Sequence, residues 1–68
     1  MKTYIKTICV GNFYNYAIYK ITDYYGRGYY EAEPLTSGAT RISDTEETLK
    51  SILENDVNFM NHYKQRIK

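Results

Sequence analysis

Residues 3–22 read TYIKTICVGNFYNYAIYKIT, and this stretch decides the fold. On both sides of Gly11-Asn12, β-branched and aromatic residues roughly alternate with polar ones, as they do in half-buried strands. Gly and Asn supply the positive φ angles that a two-residue hairpin turn requires. We therefore predict two antiparallel strands, residues 3–10 and 13–22, joined by a tight turn at Gly11-Asn12.

A second turn signal follows the hairpin. Residues 24–30 read YYGRGYY, so Gly26-Arg27 and the following glycine interrupt a run of tyrosines. This pattern predicts a turn that leads into a third strand at about residues 29–33. Pro34 ends that strand or marks it as an edge strand. Residues 39–42 are predicted to form a short fourth strand.

The C-terminal part of the chain carries a helix signal. Ser43 and Glu46 have the spacing of a capping box, in which the serine hydroxyl and the glutamate satisfy backbone amides at a helix start. Acidic residues at the start and basic residues at the end complement the helix dipole. These residues are Asp44, Glu46 and Glu47 at the start, and Lys64, Arg66 and Lys68 at the end. We predict a helix over residues 44–67.

One residue interrupts the apolar face of this predicted helix. The apolar face consists of Leu49, Ile52, Leu53, Phe59, Met60, Tyr63 and Ile67. Asp56 falls inside this apolar face, and an unbroken helix would be about 36 Å long, more than so small a domain needs. We therefore predict that the helix is bent or broken near Asn55-Asp56.

Length and pattern together define the fold class. Sixty-eight residues make one domain, covering residues 1–68. The predicted class is α+β: an antiparallel β-meander of three or four strands with one C-terminal helix packed on one face.

Strand pairing decides which face of the sheet is left for a partner. With two-residue turns, Val10 opposes Phe13 and Ile21 opposes Ala32 on one face, where we place the helix. The opposite face is then more apolar than a solvent-facing sheet needs to be, which is typical of an interaction site. High strand propensity of Tyr and Ile is the alternative explanation. The predicted partner-binding residues are Ile5, Tyr14, Tyr16, Ile18, Tyr24, Arg27 and Tyr29. A one-residue slip would instead expose Tyr4, Ile8, Phe13 and Tyr19.

Few side chains point to catalysis or to metal binding. Cys9 and His62 are the only cysteine and histidine. A free cysteine in a strand is most often a small core residue, and a metal site needs several ligands. Gly26-Arg27-Gly28 lacks the Lys-Ser/Thr that completes a phosphate-binding loop. We therefore predict no enzymatic activity, no cofactor and no metal.

Charge and cysteine content bear on partners and location. A net charge of +1 gives little attraction to nucleic acid. Tyrosine-rich sheets can nevertheless stack single-stranded bases, so nucleic-acid binding or transcription modulation is the alternative function. The lone cysteine, the lack of a targeting segment and the lack of an apolar span predict a cytoplasmic protein that does not enter membranes.

The leading prediction for function is a non-catalytic protein that binds another protein. Nine tyrosines among 68 residues supply side chains that serve binding surfaces well. Short chains rich in Lys, Asn, Ile and Tyr are typical of phages and mobile elements of AT-rich bacteria. Their products often inhibit a host enzyme or a defence complex, as anti-CRISPR proteins do. A homodimer is also expected to enlarge the small core.

Overall fold

The computed structural model describes residues 1–11, 13–36 and 38–67, with side chains described as far as His62. Four strands form one antiparallel sheet in the order β1-β2-β3-β4, followed by one helix. The predicted α+β meander with a C-terminal helix is confirmed, with four strands. The elements are β1 (Lys2–Val10), β2 (Tyr14–Thr22), β3 (Gly28–Pro34), β4 (Arg41–Ser43) and α1 (Glu46–Ile67).

The helix begins at a different cap from the predicted one. Ser43 belongs to β4, where it pairs with Tyr30, and so it does not cap α1. Thr45 does so instead: its Oγ1 accepts a hydrogen bond from the Thr48 amide at 3.1 Å, and its carbonyl accepts from the Leu49 amide at 3.1 Å. The capping-box prediction was wrong because β4 extends to Ser43, one residue beyond the predicted end of the fourth strand, and the helix therefore begins later.

The helix continues without interruption through Asn55 and Asp56, so the predicted break is wrong. Asp56 is half-buried and pairs with Arg41 of β4. The guanidinium Nε lies 2.7 Å from Oδ2, and Nη2 donates to Oδ1 at 3.3 Å. This two-point ion pair offsets the cost of placing a charged carboxylate within the apolar face of the helix. The helix therefore continues without a break. Several residues used in the helix prediction lie outside the described side chains: Tyr63, Lys64, Arg66, Ile67 and Lys68.

The core lies between α1 and one face of the sheet. Leu49, Leu53 and Val57 of α1 are almost completely buried. They pack with a group of buried sheet residues: Val10, Tyr14, Tyr16, Ile18 and Ala32. Burying a large apolar side chain contributes about 1.5–3 kcal/mol. This contact is therefore the main stabilising feature of the domain.

The strand registers differ from the predicted ones by odd numbers of residues. In the first hairpin Val10 pairs with Tyr14 rather than with Phe13, a shift of one residue. Asn12, half of the predicted turn, lies outside the described residues. In the second hairpin Ala32 pairs with Ile18 rather than with Ile21, a shift of three. Side chains alternate between the two faces of a strand. Each odd shift therefore puts the opposite set of β2 side chains on the helix side of the sheet.

The prediction of which sheet face is left for a partner is consequently wrong for the side chains of β2. Tyr14, Tyr16 and Ile18 lie beneath α1, and Ile18 is only 3% exposed. They belong to the core and are not available to a partner. A register irregularity between Tyr4 and Lys6 changes the strand pairing by one residue in the first part of β1. Beyond it, pairings such as Tyr4 with Tyr19 follow the prediction.

Gly11 is the point at which the first hairpin passes closest to the helix. Its φ is +66°, in the left-handed region that favours glycine. A Cβ atom built on Gly11 would lie 2.6 Å from Cγ1 of Val57. A side chain here would therefore meet both backbone strain and the closely packed helix.

We predict that Gly11→Ala lowers the free energy of unfolding by about 2–4 kcal/mol, measured by urea denaturation. The left-handed backbone accounts for about 1–2 kcal/mol and overpacking against Val57 for the rest. Gly26→Ala is the matched control, because Gly26 also has a positive φ, +82°, but no atom lies within 4 Å of its added Cβ. Equal losses in both variants would contradict the close approach of α1 to the hairpin.

Candidate protein-binding surface

The face of the sheet that points away from α1 is here called the outward face. It is formed by Lys2, Tyr4, Thr7, Cys9, Asn15, Ala17, Tyr19, Ile21, Tyr29, Glu31, Glu33 and Ile42. Tyr4 and Ile42 are each more than half exposed, while Tyr19, Ile21 and Tyr29 are half-buried. Aromatic and aliphatic side chains therefore remain accessible on a face that has no covering layer in the described part of the chain.

Ionic and aromatic contacts order the side chains of the outward face. The Lys2 ammonium lies 2.7 Å from Oε2 of Glu31 and 4.4 Å from the centre of the Tyr19 ring. The hydrogen bond to the Glu31 carboxylate, together with its charge, raises the pKa of Lys2. Tyr19 meets Tyr4 edge to face at 5.8 Å, and the Tyr4 hydroxyl is 2.8 Å from Oγ1 of Thr7. A partner would find these rings already positioned, which lowers the entropy lost on binding.

The loop between β2 and β3 is braced by one carboxylate. Oδ1 of Asp23 accepts hydrogen bonds from the amides of Tyr25 and Arg27, each at 2.9 Å. The Asp23 amide donates to the Arg27 carbonyl at 2.9 Å and thereby closes the base of the loop. The Gly26 amide donates to the Asp23 carbonyl at 3.1 Å. Residues 23–27 thus form a five-residue loop with a defined backbone, longer than the two-residue turn predicted at Gly26-Arg27.

This loop presents two adjacent aromatic rings to solvent. Tyr24 is 94% exposed and Tyr25 is 80% exposed, and their rings contact edge to face at 5.3 Å. Arg27 is also exposed and forms no ion pair within the described part of the chain. We call Tyr24, Tyr25 and Arg27 the aromatic loop. Tyr and Arg are the residue types that, with Trp, most often dominate binding energy at protein interfaces.

The structure places the seven predicted site residues at four locations. Tyr24 and Arg27 are in the aromatic loop, and Tyr29 lies on the outward face opposite Ile21. Ile5 is partly exposed at the irregularity in β1. The remaining three, Tyr14, Tyr16 and Ile18, are buried under the helix.

The alternative register named four other residues, and two of them are on the outward face. Tyr4 and Tyr19 lie there, whereas Ile8 faces the helix. Phe13 is exposed in the first hairpin and stacks edge to face on Tyr14. The sequence prediction also missed Tyr25, although it stands beside Tyr24 in the run that marks the second turn.

The titratable side chains near the core are surrounded by residues of the core and by ion pairs. Burial raises the pKa of Tyr16, and the nearby Asp56 carboxylate adds to the effect. Cys9 and His62 are both exposed. Within the described residues, no three His, Cys, Asp or Glu side chains cluster as metal ligands.

Comparison with protein-family models, with curated proteins and with solved structures finds no significant match to this chain. Among the residues that the structure describes, no helix combines the length and the apolar character needed to cross a membrane. The outward face and the aromatic loop are therefore the basis for inferring a function.

We predict that Asp23→Ala loosens the aromatic loop, because two backbone amides lose their shared acceptor. Hydrogen exchange at the Tyr25 and Arg27 amides should accelerate about tenfold, corresponding to about 1.4 kcal/mol of lost local stability. Asp44→Ala is the control, since Asp44 is exposed and its carboxylate makes no ion pair or hydrogen bond with a described residue. Unchanged exchange at both amides would show that the carboxylate does not brace the loop.

Proposed function

We propose that this protein is a non-catalytic binding protein that contacts another protein through the aromatic loop and the adjoining outward face. The observation that carries this proposal is the exposure of Tyr24 and Tyr25 on a loop that Asp23 braces. Two aromatic rings in water contribute little to the core of their own domain. Because the braced loop already orders these rings, less conformational entropy is lost when a partner binds.

The charges of the outward face favour a protein partner over a nucleic acid. Glu31 and Glu33 lie on this face, and a phosphate backbone would be repelled by both. Lys2 is already engaged by Glu31 at 2.7 Å, which leaves little free positive charge on the same face. Affinity for nucleic acid grows with the number of phosphates that free cations neutralise. Binding of single strands by a small nucleic-acid-binding or transcription-modulating protein is therefore the second candidate.

Composition suggests the kind of partner. A chain rich in Lys, Asn, Ile and Tyr is typical of phages and mobile elements of AT-rich bacteria. Within that setting we propose that the protein inhibits a host enzyme or a defence complex, in the manner of anti-CRISPR proteins. Inhibition of this kind requires only a surface that covers the target. A reducing, cytoplasmic location agrees with the free thiol of Cys9.

The proposal is tested with a double variant of the aromatic loop, Tyr24→Ala/Tyr25→Ala. The immobilised protein is used to capture partners from host lysate with and without nuclease treatment, and the affinity of each captured protein is then measured after purification. We expect the double variant to weaken binding at least about 30-fold, because one hot-spot residue contributes about 2 kcal/mol or more. The variant should stay folded, since neither ring belongs to the core.

Phe59→Ala is the matched control, because it removes an exposed aromatic ring from the helix, away from the aromatic loop and the outward face. Its affinity should equal that of the unmodified protein. Capture that disappears on nuclease treatment would favour the nucleic-acid alternative. A partner that binds the double variant and the unmodified protein equally well would contradict the proposed surface.

A further inference from the structure

Strand β1 is at one edge of the sheet, and part of its backbone is open for pairing. The carbonyl of Asn15 in β2 accepts a hydrogen bond from the Leu35 amide at 3.0 Å, so it points toward β3 and away from β1. Cys9 is the partner of Asn15, and in an antiparallel pair both members then point their amide and carbonyl outward. Cys9 and, two residues earlier, Thr7 therefore direct these groups to the open edge.

The regularly paired part of the β1 edge begins after the irregularity near the start of the strand. The register irregularity between Tyr4 and Lys6 disturbs the first half of β1, as bulges on edge strands commonly do. From Lys6 to Val10 the pairing with β2 is regular. An additional strand would thus find one five-residue segment suited to pairing.

A groove runs between this same segment and α1. It has a volume of about 800 Å³ and is open to solvent, and apolar and polar side chains line it in about equal measure. Ile8 and Val10 line it from the strand, and Leu49, Leu53 and Val57 line it from the helix. A strand paired with β1 would point every second side chain into the groove. The groove therefore accepts an extended segment with apolar residues at alternate positions.

Charge further defines the occupant. The helical rim of the groove carries Glu46, Glu47 and Glu54 against Lys50. Strand β1 carries Lys2 and Lys6 and no acidic residue. Within one chain, Lys6 reaches only Glu46, at 3.2 Å, and Glu47 and Glu54 have no ion pair with a described residue. The groove therefore favours a basic strand.

We propose that the occupant is β1 of a second copy of this chain. The segment Lys6-Thr7-Ile8-Cys9-Val10 is extended, has apolar residues at alternate positions and begins with a lysine, as the groove requires. Antiparallel pairing of the two β1 strands about a two-fold axis joins two four-stranded sheets into one of eight strands. Ile8, which is only half-buried in one chain, faces the groove of the other copy, Val10 stays in its own core, and Lys6 approaches the acidic rim of the other copy's groove. This dimer is independent of the proposed function, because it uses neither the aromatic loop nor the binding of another protein.

Sedimentation equilibrium over a range of concentrations tests the proposal. The unmodified protein should approach twice the 8.0 kDa of one chain as its concentration rises. Thr7→Pro should weaken the dimer at least about tenfold, because it removes an inter-strand donor from each copy, at about 1 kcal/mol each. It should leave the monomer folded, since proline is tolerated where an edge amide faces solvent. Thr7→Val is the control, because it keeps the amide and loses only the hydroxyl.

A second pair of variants tests the same interface without altering the backbone. Glu54→Lys reverses one charge on the groove rim and should weaken the dimer, and the loss should diminish at high salt. Ser51→Lys adds a charge to an exposed helix position that does not line the groove, and it should leave the dimer intact. A protein that stays monomeric at every concentration overturns the proposal. A dimer that neither Thr7→Pro nor Glu54→Lys weakens also overturns it, because the copies would then meet elsewhere.

Discussion

The contact between α1 and the sheet is the constraint on which the rest of the structure depends. Leu49, Leu53 and Val57 cover Ile18 and Ala32, and these apolar side chains form one continuous core. A 68-residue chain buries only about 60% of the surface that its unfolded form exposes, so it has little stability to spare. Covering one face of the sheet in this way also determines which side chains face solvent on the other. The surface proposed to bind a partner is therefore a consequence of where the helix packs.

Local signals were sufficient to predict the elements, but not how they pair. Alternation, the turn glycines and the helical period predicted the meander and the C-terminal helix, and Ile8, Val10 and Ala32 were placed correctly on the helix side. Strand β2 was placed with the wrong face inward because both turns were assumed to contain two residues. The first loop depends on a contact that is distant in the chain, Val57 packed against Gly11. The second loop depends on local hydrogen bonds, from two amides to the Asp23 carboxylate, that the turn glycines alone did not reveal.

The part of the candidate site that lies in a loop could be predicted from the sequence. Tyr24 and Arg27 are exposed whichever way β2 faces, so an error in register did not affect them. Tyr16 was assigned wrongly because tyrosine suits a buried sheet and a binding surface equally well. Asp56 was misread for a related reason: its partner, Arg41, is 15 residues away in the chain. A side chain whose role depends on a distant partner cannot be assigned from periodicity alone.

Two isoleucines of the same strand allow the central claim, that α1 covers the Ile18 side of β2, to be tested directly. Ile18 is 3% exposed beneath the helix, whereas Ile21 lies on the outward face. The measurement is urea denaturation of Ile18→Asp and of Ile21→Asp, followed by circular dichroism. Ile18→Asp should leave the isolated domain unfolded, because burying an unpaired carboxylate costs several kcal/mol. Ile21→Asp should stay folded with a loss of about 1 kcal/mol. The reverse result, a folded Ile18→Asp and an unfolded Ile21→Asp, would mean that the helix packs on the other face of the sheet.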